Sequence, residues 1–265
     1  MIIVVFLLVT LTTTLTYTAV NVADRSSTQT TTTTTPASTT SSTTSQRAPP
    51  SVDGFSQASY GSTTCVDTLT TANPDDVLVV FAGQERAGPA VGVADASGLV
   101  WHYRDGAAFT YLGALGDSLD EWYATSVSPL TADNITVTYT DAGSIACSAR
   151  GISGAAIASP FDPSAGCAAE TGVPQAASSS PEEENSTMTV CTSGQGDLLV
   201  GALWLRGGGL VSAPDDFTQI AGGGDLSFSE AYRQVPTSQP GLAVEWAFGG
   251  DSWAMVTDAI ASGSP

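Results

Sequence analysis

From Ser51 onward the chain is written in short apolar or alternating runs, separated by glycine, proline, serine and aspartate clusters; no stretch holds a helical period. Asp76–Gly83, DVLVVFAG, is a continuous apolar run preceded by Asn73-Pro74. That is the pattern of a central strand buried on both faces. Asn134–Thr140, NITVTYT, alternates Ile135, Val137 and Tyr139 with threonines, as a half-buried strand does. The glycine-rich stretch DGAAFTYLGALGD, Asp105–Asp117, reads as a loop that exposes Phe109 and Tyr111. The fold class expected is all-β, an antiparallel two-sheet sandwich of the jelly-roll or concanavalin-like type.

Three blocks recur in the same order. DDVLVVFAG (Asp75–Gly83) is answered by GDLLVGALW (Gly196–Trp204). DEWYATSVSPLTADNITVTYT (Asp120–Thr140) is answered by SEAYRQVPTSQPGLAVEWAF (Ser229–Phe248), which aligns Glu121 and Tyr123 with Glu230 and Tyr232. SIACSARGISG (Ser144–Gly154) is answered by SWAMVTDAIAS (Ser252–Ser262). The domain expected at 51–265 is therefore built from two similar halves, approximately 51–160 and 183–265. They form either one intertwined sandwich, the reading favoured, or two tandem small ones.

The blocks ASGLVWHYR, EWYATSVSPLTADNITVTYT, GISGAAIASPFDP and EAYRQVPTSQPGLAVEWAFGGDSWAMVTDAIAS resemble those of a widespread group of exported archaeal and bacterial β-sandwich ectodomains. The resemblance covers most of Val52 to Ser262 and rests on strand and turn patterns. It implies fold and location; the group has no single assigned activity.

Ahead of the strands, Ile2–Ala23 carries no charge and opens with an apolar core, so residues 1–25 are expected to be a helical signal peptide or a retained membrane anchor. Ser26–Pro50 is almost wholly threonine, serine and proline. It has no apolar face to offset the entropy of ordering and is expected to be a disordered, glycosylated stalk. The layout is that of a protein exported to the cell surface, where the membrane is met only through the N-terminal segment. Four cysteines, Cys65, Cys147, Cys167 and Cys191, with no CxxC spacing and one histidine, read as two disulfides. Of the three pairings, Cys167–Cys191 closes a short loop and leaves Cys65–Cys147. Asn134-Ile-Thr136 and Asn185-Ser-Thr187 are N-glycosylation sequons.

The net charge of −19, with every basic residue an arginine, repels phosphate backbones and argues against nucleic acid as a partner. Gly116-Asp117-Ser118-Leu119 matches the signature of a serine lipase and esterase family, but the catalytic constellation is missing. The single histidine, His102, precedes the serine, and no Asp-x-x-His follows it. No E-x-D-x-x-E string supplies the paired acids of a concanavalin-like glucanase. Asp117, Asp120 and Glu121 are candidate Ca²⁺ ligands, as are Asp75, Asp76 and Asp162, although solvated turns account for each cluster more simply. The reading that results is non-enzymatic: a surface protein for adhesion or recognition of a glycan or protein ligand. Phe109, Tyr111, Asp117 and Asp120 are its candidate contact residues. A surface-layer or filament subunit and a glycan-active hydrolase are the alternatives.

Overall fold

A computed structural model describes residues 48–85, 90–111, 114–167, 174–207, 209, 211–222 and 228–263. The expected export segment and most of the stalk lie outside the described residues. Nine strands precede residue 154: β1 (Ser51–Phe55), β2 (Ser59–Gly61), β3 (Thr64–Leu69), β4 (Asp76–Gln84), β5 (Gly92–Asp95), β6 (His102–Tyr111), β7 (Ala114–Ser126), β8 (Asp133–Thr138) and β9 (Ile145–Ser153). Six follow: β10 (Gln175–Thr192), β11 (Asp197–Leu205), β12 (Val211–Ser212), β13 (Thr218–Gly222), β14 (Phe228–Val235) and β15 (Gln239–Ile260). All pairings are antiparallel.

The described residues form three sheets where two were expected. One large sheet runs β1-β9-β4-β7-β6, the other β10-β15-β11-β14-β13, and a small sheet runs β3-β8-β5. The continuous apolar run of β4 explains the third, because each of its faces meets a different layer. Val77, Val79 and Phe81 pack toward β11, while Leu78, Val80 and Ala82 pack under Leu69, Ile135 and Val137 of the small sheet. β11 does the same: Leu198, Val200 and Ala202 face β4, whereas Leu199 and Leu203 face Met188, Val190, Val244 and Trp246. Those last four come from the distal parts of β10 and β15, which fold back over their own sheet and carry β12. Four layers are thus stacked around three cores. Full burial of each large apolar side chain contributes about 1.5–3 kcal/mol.

The two large sheets share one hydrogen-bond register. Phe81 stands opposite Glu121 and Val79 opposite Arg150; Ala202 stands opposite Glu230 and Val200 opposite Asp258. A bulge falls at Arg104 in β6, between the partners of Trp122 and Glu121, and another at Ile220 in β13, between the partners of Ala231 and Glu230.

Cys65–Cys147 ties β3 to β9 across the small-sheet core, with Cα atoms 6.1 Å apart. Cys167–Cys191 joins the linker to β10 at 5.0 Å. Between the large sheets the Trp204 ring lies flat against Gly83, where any Cβ would overlap it. Gly83→Ala is expected to destabilise the protein by about 1–3 kcal/mol through overpacking, read as a lowered denaturant midpoint at unchanged slope.

Candidate functional site

The structure relocates the expected contact residues. Asp105–Asp117 is not an exposed loop: its first seven residues complete β6, and β7 resumes at Ala114, making a hairpin. Gly106 and Gly116 within it serve close approach. Gly116 lies so near the Phe109 carbonyl that no side chain fits between them. Phe109 is 5 % exposed and belongs to the core between the large sheets. Tyr111 is the last residue of β6, opposite Ala114; its side chain lies outside those described.

The carboxylates are not in solvated turns either. Asp117 is buried, accepting hydrogen bonds from Trp204 Nε1 (3.2 Å) and Arg206 (3.1 Å). Asp120 is buried on the opposite face of β7, where the Ala90 N–H (2.8 Å) and the Tyr139 hydroxyl (3.4 Å) donate to it. Burial pushes the Asp120 carboxyl up to about 6. Among the described residues no group of three or more His, Cys, Asp or Glu is placed to hold a metal ion. Ser118 is buried in mid-strand opposite Gln84 and Ala108. His102 pairs with Tyr123, five residues further along β7, or roughly 17 Å at 3.4 Å per residue.

Between the large sheets lies a cluster of charges that no local pattern announced. Arg150 and Glu230 form an ion pair, both fully buried, and Ser148 also donates to Glu230. Asp258 is buried and bonded to Arg104 Nε at 2.7 Å. Glu121 lies among Asp258, Arg104 and Arg150, and neither of its oxygens has a hydrogen-bond donor. Burial, then the Asp258 charge, pushes the Glu121 carboxyl well above the carboxylate range. Burial raises Glu230 to about 7 and Asp258 to about 6 against the pull of their arginines. Three carboxyls share two guanidiniums, an excess of negative charge that works with burial to raise the Glu121 carboxyl.

A second theme is a pair of facing aspartates, found twice. Asp53 accepts from the N–H groups of Ala72 (2.6 Å) and Asn73 (2.9 Å) and faces Asp76, at the start of β4. Asp162 accepts from Ser193 (2.8 Å) and Gly194 (3.0 Å) and faces Asp197, at the start of β11. In each pair burial raises both carboxyls, but the N–H donors outweigh it and hold Asp53 and Asp162 low. Their partners move the other way: burial and the neighbouring aspartate push Asp76 up to about 7 and Asp197 to about 6.

The register of the large sheets also locates an opening. On one side, Tyr123 of β7 packs edge-on against Phe161 (4.8 Å), whose backbone bridges to Ile260. Bulge residue Arg104 lies over that ring at 4.0 Å, and His102 is 5.2 Å from Tyr123. The place is filled. On the other side Tyr232 of β14 occupies the position of Tyr123, bulge residue Ile220 that of Arg104, and Val52, opposite Ile152, that of Phe161. The smaller valine leaves a cleft of about 360 Å³ lined by Val52, Asp53, Gly54, Phe55, Thr70, Ile220 and Tyr232. Gly54 is required there, since a Cβ would collide with the Thr70 carbonyl. Phe55 is 50 % exposed and Tyr232 half-buried, so two aromatic residues meet a hydroxyl and a carboxylate at one opening.

No known protein family, curated protein or solved structure matches the chain.

Proposed function

We propose that the protein is a non-enzymatic ectodomain for adhesion or recognition, carried on a surface stalk, and that it binds a saccharide in the cleft between β1 and β14. The observation that carries this reading is the exposed Phe55 ring beside Tyr232 in a recess of ligand size. An aromatic face offers apolar contact to the C–H face of a sugar, while Thr70 and the tyrosine hydroxyl offer polar contact to its rim. The shared register of the large sheets supports descent of both halves from one β unit. On that view the cleft arose where the copies diverged, Val52 against Phe161. The two disulfides and the resemblance to exported ectodomains support an extracellular setting.

A glycan and polysaccharide panel probed with the full chain tests this. A specific hit is expected, and Phe55→Ala is expected to weaken it at least tenfold while leaving the melting temperature within a few degrees. Undiminished binding by Phe55→Ala would remove the cleft from the reading. A panel with no hit would favour the alternative of a surface-layer or filament subunit.

A further inference from the structure

We propose that Asn134 and Asn185 both carry N-linked oligosaccharides, and that these stand on the two outermost layers of the stack, facing away from each other. Asn134 lies in β8, the central strand of the small sheet, and is exposed, with Thr136 two residues on. Asn185 lies in the distal part of β10, opposite Ala247, and is exposed together with Thr187. In a strand, residues i and i+2 share a face, so each acceptor amide and its sequon hydroxyl point outward together. The residues between and beyond them, Ile135, Val137, Ser186 and Met188, are buried. A one-residue change of register would have turned either asparagine into a core. Asn134 accepts a hydrogen bond from the Thr68 hydroxyl at Oδ1 (2.8 Å), not at the Nδ2 that would carry the sugar; the other asparagine described, Asn73, precedes proline and donates its Nδ2 to Asp53.

Among the described residues the small sheet packs inward on β4, β7 and β9, and the distal β10–β15 ribbon packs inward on β11 and β14. Their outer faces are the two ends of the four-layer stack. The attachment is a group transfer from a polyprenyl-phosphate-linked oligosaccharide. The amide Nδ2 forms a bond to the anomeric carbon and gives up one proton, the anomeric C–O bond breaks, and the lipid phosphate leaves with the electron pair. Glycans at both ends would cover the threonine-bearing faces Thr64, Thr68 and Thr138, and Thr187 and Thr189, leaving the perimeter of the sheets for partners.

The test is peptide mapping of the full chain, purified from the secretory pathway of an N-glycosylating host, after enzymatic glycan release in H₂¹⁸O. Release converts each occupied asparagine to ¹⁸O-labelled aspartate, which separates these sites from any sugar on stalk threonines. Label is expected at both Asn134 and Asn185. Asn134→Gln and Thr136→Ala should each lower the intact mass by the same one glycan, as should Asn185→Gln and Thr187→Ala at the second site. Label at neither position, or at one alone, overturns the proposal. Binding to the glycan panel is a separate readout and does not bear on it.

Discussion

Between pH 5 and pH 8 the free energy of unfolding is expected to fall by several kcal/mol, so that the protein is most stable on the acid side of neutrality. The aspartates at the starts of β4 and β11 and the cluster between the large sheets all set this direction. Burial raises Asp76 and Glu230 to about 7 and Asp197, Asp120 and Asp258 to about 6. A carboxyl held above its unfolded value binds its proton more tightly in the folded chain. Its contribution is therefore complete below about pH 4 and drains away as pH climbs through the folded value. Each pH unit between the two titrations is worth about 1.4 kcal/mol per group. Asp53 and Asp162, held low, act oppositely, and their contribution is lost only as pH falls below about 4. Urea unfolding at pH 5, 6, 7 and 8 measures the profile. Growing self-repulsion of an acidic chain slopes the same way, so the decisive comparison is the double variant Asp76→Asn, Asp197→Asn. It removes two titrations while barely changing the net charge, and it should flatten the profile by roughly half. A double variant with the wild-type slope would take Asp76 and Asp197 out of the account and leave Asp120, the cluster between the large sheets, or the surface as the source of the pH dependence.

The strands were legible because their side chains obey simple periods. β4 reads as buried on both faces and is, and the alternation of Ile135, Val137 and Tyr139 predicts the face that β8 turns inward. The disulfides followed from count and loop length. The glycine-rich stretch misled because glycine marks two different needs, turns and close backbone approach, and here Gly106 and Gly116 serve the second. That error turned Phe109 outward when it belongs to a core. The third sheet was hidden in the same way, since a sequence period shows that both faces of a strand are covered but not by what. The buried charges were hidden for a further reason. Glu121 and Glu230 recur at equal positions, but their partners arrive from strands far along the chain: Arg150 pairs with a residue 80 positions away. Nothing local distinguishes such a carboxylate from a solvated one. The cleft depends on a difference between Val52 and Phe161, and that acquires meaning only when both are seen against equivalent isoleucines.

Arg150→Met is expected to cost about 3–5 kcal/mol at pH 8 and distinctly less at pH 5. Methionine fills much of the same volume beside Phe81, so the loss is electrostatic: Glu230 stays buried without its counter-charge. Three carboxyls would then share the Arg104 guanidinium alone, and the cluster must take up a further proton to remain folded. Protons are scarce at pH 8 and plentiful at pH 5, which sets the sign of the difference. Adding Glu230→Leu to Arg150→Met should recover most of the loss, because a well-packed apolar pair is often as stable as a buried ion pair. Denaturant midpoints of the wild type and the two variants at both pH values separate the possibilities. A loss equal at both pH values and unrelieved in the double variant would mean that Arg150 acts through packing, as its position near the Phe81 ring allows. Recovery in the double variant would mean that the charges between the sheets are not required for stability. They would then serve to hold the two large sheets in a single register, since a slip of one residue turns Arg150, Glu230, Glu121 and Asp258 out of the shared core together.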